Sequence, residues 1–196
     1  MISTRRKIVA IASSTGGPRA LQELIPLLPA NLNAPVCLVQ HMPSGFTEAL
    51  ARRLDQISPI SVSEAVEGES IEKGHVYLAR GGNHMILNKS RTTTVIGYTD
   101  APHREGVKPC ANYMFESLMD CDYDEVVCVV LTGMGADGTE GITNLKTKKK
   151  VSILVQSEAS CTVYGMPRAA VKAGLATEGM ELKEIAKAII EKVGVY

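Results

Sequence analysis

The sequence predicts an α/β fold of the doubly wound type, a mostly parallel sheet with helices on both faces, and three observations lead there. Apolar runs of strand length recur with little polar alternation, at Lys7 to Ala12, Pro35 to Gln40 and Glu125 to Leu131, which suits strands buried on both faces. Segments with apolar residues at helical spacing alternate with these runs. Glycine-rich or polar turns separate the two patterns, as expected where a βα unit repeats.

The elements follow in order. Lys7 to Ala12 reads as a buried strand, SSTGGP breaks it, and Ala20 to Leu28 carries leucines and isoleucine at helical spacing. Pro35 to Gln40 is a second strand ending at His41, and after the HMPSG turn Phe46 to Ile57 reads as a helix. From about 59 to 100 the pattern breaks into SVSEA, HVYLA, HMILN and TTVIGY, short pieces that predict a small antiparallel hairpin region at an edge or insertion. Helical spacing returns at Asn112 to Met119, followed by the strand Glu125 to Leu131, the GMGADG turn and a helix at Thr139 to Lys146. A strand at Val151 to Gln156 and helices at Pro167 to Ala173 and Leu182 to Lys192 complete the reading.

A chain of 196 residues with 45% hydrophobic and 21% charged residues has the composition of one globular domain with a sizeable core. Its 21 basic and 21 acidic residues balance, so no global field draws it to nucleic acid or to an anionic membrane. The run Lys148-Lys149-Lys150 reads as a solvated turn. The charged start MISTRRK is followed by too short an apolar stretch for a signal peptide or a membrane span, so the expectation is a cytoplasmic protein without membrane insertion. The five cysteines form no CxxC pair and read as reduced thiols, and no His/Cys spacing matches a metal site.

In a doubly wound sheet, ligands sit at the carboxyl ends of strands, and three turns at such positions carry reactive side chains. A serine nucleophile needs a sharp strand-to-helix turn with small neighbours and backbone amides nearby for an oxyanion. Ser14, in Ala12-Ser13-Ser14-Thr15-Gly16, meets that description, although a serine before Gly-Gly can also simply cap a helix. His41, where the second strand ends, is the candidate base, whereas His75, His84 and His103 read as structural or solvent-facing. Asp137 in the GMGADG turn is the candidate carboxylate, with a helix N-cap as its other reading. A rival occupies the same turn: Gly133 to Gly138 matches G-x-G-x-x-G, with Glu158 some way downstream, and leaves a dinucleotide-binding module open.

The motifs SSTGGP, QHMPSGFT, EGESIEKGHVYLARGGNHM, LTGMGADG and QSEASCTVYGMPRAA occur in one order along the chain. Together they resemble the catalytic domain of the CheB family of chemotaxis protein-glutamate methylesterases, from Lys7 to about Ile190. The resemblance implies Ser14 as nucleophile, His41 as general base and acid, and Asp137 as the orienting carboxylate. It also implies Thr15, Gly16 and Met134 around the substrate and oxyanion, and no cofactor or metal. The implied partners are methylated helices of chemoreceptor cytoplasmic segments and a response-regulator receiver domain. The implied reaction is hydrolysis of glutamate methyl esters to release methanol, with deamidation of receptor glutamines by the same chemistry. Ala12-Ser13 stands where the family often has Gly-Ala, and only about six residues precede the first strand. The expectation is therefore a single catalytic domain over 1–196 with the receiver absent, either excised or a stand-alone esterase that could act outside chemotaxis.

Overall fold

The computed structural model describes residues 5–196; Met1 to Thr4 of the charged N-terminal segment lie outside the described residues. Six parallel strands form the main sheet: β1 (Lys7–Ser13), β2 (Val36–Gln40), β3 (Ser61–Glu64), β4 (His75–Leu78), β7 (Glu125–Val130) and β8 (Lys150–Val155). Their order is β3-β4-β2-β1-β7-β8, and a separate hairpin pairs β5 (His84–Lys89) with β6 (Thr94–Thr99). The chain leaves β1 towards β2 on one side and returns to β7 on the other, so the order reverses at β1. Such a switch point opens a crevice at the carboxyl ends of the strands.

Period-two alternation divides each strand between two apolar layers. Val9 and Ile11 of β1, with Val36, Leu38, Val127 and Val129, pack against α1 (Gly17–Leu24), α2 (Thr47–Ile57) and α6 (Leu182–Val193). Ile8, Ala10 and Ala12, with Val39, Cys128 and Val130, pack against α3 (Ala111–Ser117), α4 (Thr139–Leu145), α5 (Gly165–Lys172) and the hairpin. Phe115 of α3 is fully buried in this second layer, where truncation to alanine would cost about 3–5 kcal/mol. Both layers are buried, which is why the strands read as continuous apolar runs.

The antiparallel region is narrower than the sequence suggests. Only 84–99 forms a hairpin; SVSEA and HVYLA supply β3 and β4, which pair in parallel and extend the main sheet beyond β2. Four-residue strands are too short for alternation to reveal their direction. The first helix also differs: it begins at Gly17, with proline in its first turn, and tightens into a 3-10 turn at Ile25–Leu27 around Pro26. Proline supplies no N–H to continue an α-helix there. The lysine run is partly structural, because Lys149 donates to the carbonyls of Cys121 and Tyr123.

Candidate active site

β1 and β2 run in parallel register with Ser13 opposite Gln40, so Ser14 and His41 follow side by side as the two strands end. The His41 amide donates to the Ser13 carbonyl (3.0 Å) and the Ser14 amide to the Thr132 carbonyl beyond β7 (2.9 Å). Thr132 in turn donates its hydroxyl to the Thr15 carbonyl (2.9 Å). Three turns are thereby tied at one edge of the crevice. Gly133 packs so closely that a Cβ there would lie 2.7 Å from Ser14 Cβ.

The two serines before the turn have opposite environments. Ser13 is fully buried and donates its hydroxyl to Gln40 Oε1 (2.6 Å). Ser14 is half-buried, and among the described residues its hydroxyl has no hydrogen-bond partner. That leaves Ser14, rather than Ser13, with an oxygen able to react.

Asp137 is 1% exposed and is held by four donors. His41 Nε2 meets Oδ2 at 2.6 Å, and the Ala111 amide donates to the same oxygen at 2.6 Å. The Asn112 amide (2.9 Å) and the Cys110 thiol (3.0 Å) donate to Oδ1. Burial pushes the carboxyl up, but the hydrogen bonds from His41, Ala111 and Cys110 outweigh it and leave Asp137 below the usual aspartate range. The ionised form is stabilised at the α3 N-terminus, where unpaired amides favour an anion. The neighbouring Cys110 thiol is pushed upward by burial and by the Asp137 carboxylate, so it donates a proton rather than acting as a thiolate.

Asp137 therefore caps a helix, but not the one that follows it. The N-cap of α4 is Gly138, which has no side-chain cap. Asn112 at the start of α3 instead accepts from the Gly138 (3.0 Å) and Gly141 (2.7 Å) amides. The two helix ends clasp each other through one carboxylate and one carboxamide. His84 supports the same corner: the Cys110 amide donates to its Nδ1 (3.0 Å), and its Nε2 faces the Pro102 carbonyl (3.2 Å). Asn112, Cys110 and His84 were not among the candidate site residues, and no motif or spacing ties them to Asp137.

The remaining expected residues surround Ser14. Thr15 and Met134 are exposed, and Gly16 takes a positive φ of 80° as the α1 N-cap. Among the described residues, the amides of Thr15, Gly16 and Met134 have no hydrogen-bond partner, as donors reserved for an oxyanion would require. A cavity of about 430 Å³ opens beside the turn, lined in part by Gly16, Arg19, Thr132, Gln156 and Ser160. In the Gly133–Gly138 turn the first and last amides are used internally, Gly133 N–H donating to the Val163 carbonyl and Gly138 N–H to Asn112 Oδ1, and the buried Asp137 carboxylate stands where a dinucleotide fingerprint would meet a phosphate. His75 bonds Ser63 Oγ (2.7 Å) within the sheet edge, and His103 is exposed.

Fold and site together define a doubly wound α/β protein with a Ser-His-Asp constellation at its switch point. The family profile described as CheB methylesterase matches residues 9–189, and the chain belongs to that family. It is 50% identical over 188 residues to a Bacillus subtilis protein-glutamate methylesterase/protein-glutamine glutaminase, covering 95% of this chain and 52% of that protein. A Photobacterium profundum protein of the same name is 45% identical over 96% of this chain and 48% of its own length. The chain thus spans about half the length of these curated relatives. A crystal structure of the Thermotoga maritima CheB methylesterase catalytic domain superposes with a TM-score of 0.92 at 37% identity, covering 96% of this chain and 99% of that one. Among the described residues, no helix is long and apolar enough to cross a membrane.

Proposed function

We propose that the chain is a catalytic domain that hydrolyses glutamate methyl esters on chemoreceptor segments in the cytoplasm, with Ser14, His41 and Asp137 as its triad. The observation that carries this reading is the 2.6 Å bond between His41 Nε2 and the buried Asp137 carboxylate, with Ser14 next to His41 across the β1–β2 register. Because Nε2 faces Asp137, Nδ1 is the nitrogen left to accept the Ser14 proton. Asp137 would fix that tautomer and stabilise the imidazolium as it forms.

In the first half-reaction, Ser14 Oγ attacks the ester carbonyl and passes its proton to His41. The oxyanion is met by amides of the Thr15–Gly16 turn and of Met134. His41 then returns the proton to the departing methoxide, methanol leaves, and a glutamyl ester on Ser14 remains. Water, deprotonated by His41, attacks that ester and releases glutamate and the Ser14 hydroxyl. A receptor glutamine would follow the same course with ammonia as the leaving group. The family resemblance and the relatives' names support this substrate class, and a receiver domain is the proposed regulatory partner.

The test is methanol release from methylated chemoreceptor membranes by wild type and by Ser14→Ala, with the variant's folding checked by circular dichroism. Release by wild type that drops to background in a folded Ser14→Ala variant is the expected result. No release by folded wild type, or equal release by both, would overturn the assignment.

A further inference from the structure

Gln40 lies between the two residues that the proposed reaction must bring together, and its carboxamide is fully used. It is 2% exposed. Its Nε2 donates to the carbonyls of Ser14 (2.9 Å) and His41 (3.2 Å), while its Oε1 accepts from the Ser13 hydroxyl (2.6 Å). The Ser14 carbonyl also accepts from the Gly17 amide (2.7 Å), which closes the turn into α1. Gly17 has no side chain, and a Cβ there would collide with the Gln40 carboxamide.

Each of these bonds fixes backbone rather than a reacting atom. The Ser14 carbonyl sets the orientation of the Ser14 peptide, and the His41 carbonyl sets that of the residue carrying the imidazole. One planar amide with both N–H groups committed holds both. The two carbonyls keep that amide from rotating end for end, because a flipped Gln40 would turn its oxygen toward both, and the Ser13 hydroxyl donates to the Oε1 that this orientation leaves facing it. The hydroxyl that this chain carries at position 13 is thereby a working part of the support.

We infer that Gln40 is a positioning residue: its buried amide sets the separation of Ser14 Oγ and His41, and so the rate at which Ser14 is activated. This rests on the reading of Ser14 and His41 as nucleophile and base. Gln40 touches no reacting atom, so its loss acts on the rate of Ser14 attack and leaves substrate affinity unchanged. A misplacement of reacting groups by about 1 Å costs roughly 10²-fold in rate, and that is the expected scale for Gln40→Met, which keeps the length of the side chain without its hydrogen bonds. Gln40→Glu keeps the shape but turns an acceptor toward two carbonyls, and falls at least as far. Ser13→Ala leaves Oε1 without its donor and falls less, by several-fold.

The experiment uses a fluorophosphonate probe on the full chain. Ser14 Oγ forms a bond to phosphorus, fluoride leaves with the bond electrons, and the hydroxyl proton passes to His41. The rate is taken per competent site by titrating total labelling, so unfolded protein does not count as slow protein. Wild type should label at Ser14. Gln40→Met and Gln40→Glu should reach full labelling roughly 10²-fold more slowly. On methylated receptor membranes kcat should fall with KM unchanged. Variant labelling rates and kcat equal to wild type would overturn the positioning role even if their melting temperatures drop. Wild type unlabelled at Ser14 would remove the triad reading and this inference with it.

Discussion

The turns that carry Ser14 and His41 continue adjacent strands of the parallel sheet, whereas the turn that carries Asp137 is held by the ends of two helices. On the strand side, the register that pairs Ser13 with Gln40 sets the neighbours, and backbone hydrogen bonds between strands maintain them. On the helix side, placement is electrostatic: one buried carboxylate satisfies the α3 amides while Asn112 satisfies those of α4. The difference teaches that the two halves should fail differently. Disturbing the strand side should cost rate through geometry, and disturbing the helix side should cost rate and stability together.

The largest expected effect breaks the helix side. Asp137→Asn keeps the size, but its NH2 must face either the Ala111 amide and His41 or the Asn112 amide and Cys110, because all four positions are donors. A triad aspartate replaced in this way loses about 10⁴-fold in kcat through the wrong imidazole tautomer. The unsatisfied donor should also cost about 1–3 kcal/mol of stability. Methanol-release kinetics with urea denaturation of the same preparation checks both. A variant that loses activity at full stability would show that the clasp does not depend on the charge.

The next effect tests the strand side. Gly133→Ala places a Cβ 2.7 Å from Ser14 Cβ, and the other close neighbour, Met166, is a flexible side chain that can yield. Ser14 must shift, and the rate should fall roughly 10²-fold. Stability should fall by only about 1–3 kcal/mol, as for other overpacked sites. Phosphonylation rates and urea midpoints give the two numbers. Unchanged rates would mean that the Ser14 turn tolerates displacement, and the contrast between the two sides would weaken.

The same contrast explains what could be read in the sequence. Strands β1, β2 and β7 and their turns were legible because burial on both faces leaves unbroken apolar runs, and the turn residues follow each run directly. Ser14, His41 and Asp137 stand out by that position and by their side-chain chemistry, and the family resemblance implies their roles. β3 and β4 were misread as antiparallel because pairing direction is set by the long connection at 65–74 and by β2, not by four residues of pattern. Asn112, Cys110 and His84 left no signal, since their partners lie about 25 residues away and meet only when α3 docks. The N-cap reading of Asp137 had the right physics and the wrong helix.

The smallest effect sharpens the comparison through pH, because His84 supports only the helix side. Its Nδ1 accepts from the Cys110 amide, so folded His84 is the neutral tautomer with its proton on Nε2. Burial lowers its pKa below the ordinary 6.5, the Pro102 carbonyl opposes this, and Lys108 and His103 add to the lowering. Above about pH 6.5 both folded and unfolded chains hold this histidine neutral, and its contribution to stability is complete. As pH falls below that, the unfolded chain binds a proton that the folded one refuses, so stability declines until the folded pKa is passed. His75 is lowered in the same direction, chiefly by burial, while Asp137 stays ionised throughout this window and adds nothing to the slope. Unfolding free energies from urea denaturation between about pH 7.5 and about 5.5 should therefore fall with pH, by less than about 1.4 kcal/mol per pH unit for each histidine. His84→Asn keeps an acceptor near the Nδ1 position and removes the titration, so its slope should be shallower, with the His75 part remaining. Equal slopes in the two proteins would show that protonation of His84 does not reach the α3 end, and that the helix side is held by Asp137 and Asn112 alone.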